Sequence, residues 1–85
     1  MVREYISQNK DRFLAELFVL LRIPSVSADS SLKGDVRKAA EFLKTKFTEA
    51  GVDKVELCET KGHPIVYAEK IVSASLPTVL VYGHY

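Results

Sequence analysis

The chain has 85 residues, 12 of them Lys or Arg and 11 Asp or Glu, for a formal charge of +1. That length suits one small domain, and the charge balance lacks the basic surplus of a nucleic-acid footprint. Hydrophobic residues make up 47% and charged residues 27%, which excludes disordered, collagen-like and disulfide-scaffold classes.

No stretch reaches the roughly 18 consecutive apolar residues that a membrane helix needs, so no membrane partner is expected. Charged residues (Arg3, Glu4, Lys10, Asp11, Arg12) interrupt the N-terminal stretch throughout, unlike a secretory signal. The single cysteine, Cys58, has no internal partner for a disulfide. A reducing compartment fits, and the cytoplasm is the expected location.

From Val2 to Ile23 the apolar residues Tyr5, Ile6, Phe13, Leu14, Leu17, Phe18 and Leu21 recur at helical spacing. They predict an amphipathic helix with a stripe for core packing, ended by Pro24. Arg12 and Glu16 lie four apart on its polar side. The serine-rich stretch from Pro24 to Lys33 has loop composition. Val36, Ala39, Ala40, Leu43, Phe47 and Ala50 then predict a second helix from about Asp35 to Ala50. Asp35 would cap it or favour its first turn, and Gly51 would end it in the left-handed region.

After Gly51 the period changes from helical to alternating. Val55, Leu57 and Glu59 alternate with Glu56, Cys58 and Thr60 as a half-buried strand. Thr60-Lys61-Gly62-His63-Pro64 has turn chemistry, and Ile65 to Val72 reads as a second strand in an antiparallel hairpin. Ser73 to Pro77 is a loop. Thr78-Val79-Leu80-Val81-Tyr82 is nearly continuously apolar, as in a strand covered on both faces. The expected fold class is therefore α/β, in the order α-α-β-β-β. The last strand has nothing on its far edge, so residues 1–85 are expected to be the N-terminal piece of a larger layered sheet, truncated after its first central strand.

The chain ends Tyr82-Gly83-His84-Tyr85. Ligand-binding groups of open α/β sheets gather beyond the carboxyl ends of strands, and His84 stands there. A ring nitrogen in that place is a candidate metal ligand, set against a plain surface or half-buried histidine at a strand end. The other candidates have simpler readings. His63 is a turn residue, Cys58 a structural thiol, and Ser25 and Ser27 are loop hydrogen-bonders with no nucleophile elbow nearby. Phe13, Phe18, Phe42 and Phe47 fall on or beside the apolar stripes and are expected in the core. Asp29, Asp35, Asp53, Glu56 and Glu59 are scattered and expected to be solvated.

Four segments, in order along the chain, carry a resemblance. Leu20-Leu21-Arg22-Ile23-Pro24-Ser25-Val26-Ser27, Glu49-Ala50-Gly51-Val52, Gly62-His63-Pro64-Ile65-Val66-Tyr67-Ala68 and Val79-Leu80-Val81-Tyr82-Gly83-His84-Tyr85 resemble segments of one family of zinc-dependent peptidases. That family holds carnosine-type dipeptidases, acetylornithine deacetylase and succinyl-diaminopimelate desuccinylase. The last segment resembles the start of L-V-Y-G-H-Y-D-V-Q-P, a form typical of the dipeptidase branch.

The resemblance implies that His84 is a zinc ligand, the first residue of an H-x-D motif whose Asp would follow Tyr85. It implies a catalytic domain in which two zinc ions activate a bridging water and a glutamate moves the proton. It further implies dipeptide or short-peptide substrates and a homodimeric parent. Tyr85 between the His and the expected Asp favours the dipeptidase branch over the N-acyl amino acid deacylases, which more often carry a small residue there. Since the other ligands and the general base are missing, the 85-residue chain by itself is expected to be inactive. The alternative from another class is a non-enzymatic α/β interaction module that self-associates through the open edge of Thr78 to Tyr82.

Overall fold

The first helix, α1, spans Val2–Leu21 in a computed structural model that describes residues 1–85. It stops two residues before the predicted end because Ile23 donates to the Leu20 carbonyl, three residues back, at 3.1 Å. That tightened turn delivers the chain to Pro24, whose ring disfavours helical backbone before it. The expected Arg12–Glu16 pair forms at 3.7 Å.

The second helix, α2, spans Lys33–Glu49 and is entered through a 3-10 turn at Ser30–Leu32. Asp29 caps that 3-10 turn, and α2 itself begins after Leu32 with no side-chain cap. The Asp29 carboxylate accepts from the Ser31 N–H at 2.9 Å and from the Ser31 hydroxyl at 2.6 Å. Asp35 makes no cap hydrogen bond and lies in the first turn of α2, where its charge favours the helix dipole, the second of the two expected roles. Gly51 follows with φ 85°, the one residue of the chain in the left-handed region. Glycine suits it because this φ strains any residue that carries a side chain, although the space around it is open.

Two strands follow, β1 at Lys54–Cys58 and β2 at Ile65–Glu69, paired antiparallel with Lys54 opposite Glu69 and Cys58 opposite Ile65. The predicted hairpin is present, with both strands shorter than the alternation suggested. β2 ends at Glu69 because the chain beyond it turns to Asp53, whose carboxylate accepts from the Ile71 N–H at 3.1 Å.

The third predicted strand does not form. Thr78–Tyr82 carries no regular structure, and residues 77–85 make no backbone hydrogen bond within the chain. A strand is defined by its ladder, and this segment pairs with neither edge of the hairpin. Leu80 is 91% exposed as a result. The α/β class stands, with a two-stranded sheet in place of a three-stranded one.

The core is the face of α2 turned to the hairpin, where Val36, Ala39 and Ala40 are buried. Their spacing of three and four puts them on one helix face, and two alanines let the hairpin approach closely. The aromatic residues expected in the core are not there. α1 buries none of its residues, Phe13, Phe18 and Phe47 are exposed, and Phe42 is half-buried. Lys46 of α2 reaches Glu16 of α1 at 3.5 Å, across the solvent side of the pair. The apolar stripe of α1 has no surface to pack on within these residues.

Two global quantities agree. The Cα radius of gyration is 15.0 Å, against about 12 Å for a compact domain of this length. The accessible surface is 7097 Å², against roughly 5,000 Å² for a folded monomer of this size. No helix is long and apolar enough to cross a membrane.

Candidate functional site

His84 lies on the irregular segment that follows the hairpin and is exposed. Its ring meets the edge of Tyr82, with centroids 5.2 Å apart and planes at 78°. Tyr85, next in sequence, turns the other way and is half-buried. Its hydroxyl donates to the carbonyl of Pro64, the buried last residue of the hairpin turn.

The turn that receives Tyr85 is held from within. The Thr60 hydroxyl donates to the His63 carbonyl at 2.8 Å and accepts from the Gly62 N–H at 3.0 Å. The His63 ring reaches back to the loop after α1, with Nε2 3.0 Å from the Ser27 carbonyl. A carbonyl can only accept, so Nε2 carries the proton in this contact. His63 is thus a turn residue, as expected, and it also ties the turn to the loop. Ser27 takes part through its backbone rather than its hydroxyl.

Of the acidic residues read as solvated, Asp29, Asp53, Glu56 and Glu59 are exposed and Asp35 is half-buried, each with a partner. Asp35 pairs with Lys38 at 3.9 Å, Asp53 with Lys70 at 3.8 Å, Glu56 with Lys54 at 3.2 Å and Glu59 with Arg37 at 2.5 Å. The Arg37 hydrogen bond holds the Glu59 carboxyl below its ordinary range; burial opposes it, and the Arg37 charge adds a lesser lowering. The Ser31 hydroxyl and N–H hold Asp29 below its ordinary range too.

A depressed native pKa means that these contacts stabilise the fold above the ordinary carboxylate range and lose their effect as pH falls through the depressed values. Thermal melts should therefore be level from about pH 7 to about pH 5 and fall progressively below about pH 4.5. Arg37→Gln should flatten the Glu59 part of that decline. A wild-type melting temperature independent of pH across the acid range would contradict both assignments.

Metal chemistry needs more donors than these residues assemble. No group of three or more His, Cys, Asp and Glu side chains lies close enough to hold a metal ion. A catalytic zinc takes three protein ligands and keeps one position open. His84 offers one nitrogen, its ring neighbour is a tyrosine, and Cys58 sits half-buried in β1. The side chains of this chain by themselves do not fit a zinc site, and no catalytic step is assigned to them.

Sequence reasoning missed the Arg37–Glu59 pair, 22 residues apart, and the Tyr85–Pro64 contact, 21 apart. Neither leaves a local pattern. The H-x-D reading drew attention to Tyr85 only as the residue between two others.

In architecture the chain is a small α/β unit of two helices and a hairpin, with a candidate ligand on the segment after it. Its relatives in sequence are dipeptidases. It is 35% identical over 92 residues to the Cys-Gly metallodipeptidase of Schizosaccharomyces pombe, a match covering 96% of the chain and 19% of that protein. The Cys-Gly metallodipeptidase of Candida albicans is 33% identical, with 94% of the chain and 19% of the relative covered. That of Saccharomyces cerevisiae is 27% identical, with 99% and 20% covered. No family model and no solved structure matches the chain. Along nearly its whole length the chain is similar to metallodipeptidases, and it spans about one fifth of the length of these curated relatives.

Proposed function

We propose that residues 1–85 are the N-terminal portion of the catalytic domain of a zinc-dependent dipeptidase. In this reading His84 is one ligand of a two-zinc site, and the substrates are dipeptides or short peptides. The observation that carries it is the agreement with three metallodipeptidases along 94–99% of the chain. The remaining ligands and the general base are supplied by residues other than these, so the isolated chain is inactive. Cys-Gly, named for the relatives, is the first substrate to test. The free, half-buried Cys58 thiol supports a reducing, cytoplasmic location.

The test is a chimera in which this chain replaces the matching segment of the S. pombe relative. The expected result is Cys-Gly hydrolysis that chelation abolishes and zinc restores. A folded chimera that holds zinc, cleaves no dipeptide and releases acyl groups from N-acyl amino acids would move the assignment to the deacylase branch. A folded chimera without metal or activity would overturn the reading.

A second reading concerns the isolated chain and is favoured by its surface. Roughly 2,000 Å² beyond that of a compact monomer is open, and Val79–Tyr82 is bare. In this reading the chain is a self-associating α/β module, copies pairing along that segment. Sedimentation should show concentration-dependent dimers or larger species that Leu80→Asp weakens. A monomer at all concentrations would exclude it.

A further inference from the structure

Residues 77–85 make no backbone hydrogen bond within the chain. The Tyr85 hydroxyl makes the one hydrogen bond that joins this stretch to the rest of the molecule, and its acceptor is the carbonyl of Pro64. Pro64 is the only buried residue outside α2. The turn it closes is braced by Thr60 on one side and by the His63–Ser27 contact on the other. The Arg37–Glu59 pair lies beside the hydroxyl, linking α2 to the end of β1. This seat belongs to the residue next to His84, which is exposed and whose ring meets the edge of Tyr82 on the same bare segment.

We propose that Tyr85 is a positioning residue, fastening its hydroxyl to the Pro64 turn and so fixing where the His84 imidazole stands. A peptide unit links consecutive Cα atoms at about 3.8 Å, so an anchored Tyr85 confines Gly83 and His84 to a small arc. Gly83 adds no side chain to stiffen that arc, and the Tyr82–His84 contact moves with the segment. The anchor is therefore the device that limits how far the histidine can move from the hairpin turn. Burial holds the Tyr85 hydroxyl above the ordinary tyrosine range, with Arg37 opposing and Glu59 adding to the shift. The hydroxyl is a donor at neutral pH.

The meaning of this anchor for catalysis rests on the reading of His84 as a zinc ligand, whereas its test does not. Backbone relaxation and ring resonances of the metal-free chain are compared for wild type, Tyr85→Phe and Tyr85→Leu. In the wild type, Gly83 and His84 should have order parameters near about 0.8, and in Tyr85→Phe they should fall below about 0.6. The His84 ring resonances should move toward those of a free histidine peptide. The amides of β1 and β2 should stay in place, which separates loss of the anchor from loss of the fold. Tyr85→Leu, lacking hydroxyl and ring alike, should do the same.

Unchanged order and ring shifts in Tyr85→Phe would overturn the proposal, and so would a wild type already as mobile as the variant. The measurement involves neither metal nor turnover, so the anchor can fail while the dipeptidase reading stands, and the reverse.

Discussion

His84→Ala in the chimera with the S. pombe relative is expected to abolish Cys-Gly hydrolysis and to lower bound zinc, with the fold intact. Loss of a residue that merely orients a ligand weakens metal affinity by about 10–100-fold, and loss of the ligand itself should exceed the upper end of that range. The substitution should be silent in stability. His84 is exposed and its ring meets the edge of the exposed Tyr82, so its removal opens no cavity and orphans no buried partner. Metal content by elemental analysis, activity and a thermal melt, taken on one preparation, read the three quantities together. Full metal content and full activity in His84→Ala would remove His84 from the site. Loss of activity with a lowered melting temperature would point to a structural part for the ring. His63→Ala is the matched control. His63 braces the turn through Ser27, and its removal should lower stability modestly, by about 1 kcal/mol for one hydrogen bond, while leaving the metal in place.

Local pattern made most of this fold legible before any coordinates. The stripe of α1, the spacing of Val36, Ala39 and Ala40, the left-handed Gly51 and the alternation on either side of Thr60–Pro64 are near-neighbour signals. Each became the expected element within a few residues. What pattern could not supply was the identity of the packing partner. Phe13 and Phe18 look like core residues because helical spacing reports a face and not what covers it; here α1 buries nothing. Thr78–Tyr82 has the composition of a buried strand, yet it lacks a ladder because strand structure is a property of two segments. The Arg37–Glu59 and Tyr85–Pro64 contacts span more than 20 residues each and leave no periodic trace. His84 was reached through its place after an apolar run and through resemblance, not through any cluster of donors.

Ala39→Asp is expected to unfold the α2–hairpin unit. Ala39 is 0% exposed, between Val36 and Ala40 on the face that meets both strands. No buried polar side chain exists in the chain to receive a carboxylate there. An ionised group without a partner at such a site costs several kcal/mol, or it takes up a proton and still leaves its oxygens poorly bonded. Domains of this length have a total stability on the order of 4–13 kcal/mol. A core of three helix residues and one proline places this one toward the lower end. Circular dichroism should show loss of the cooperative melt, and amide spectra should show loss of the dispersion from β1 and β2. Ala40→Leu tests the same face by volume. Overpacking of a close helix–sheet contact typically costs about 1–3 kcal/mol, so it should lower the melting temperature without abolishing the transition. Lys44→Ala, on the solvent side of α2, should stay within about 0.5 kcal/mol of wild type. A cooperative melt in Ala39→Asp at the wild-type temperature would mean that α2 does not pack on the hairpin through this face. The seat for Tyr85 would then go as well, because the Arg37–Glu59 pair beside it spans the same contact between α2 and β1.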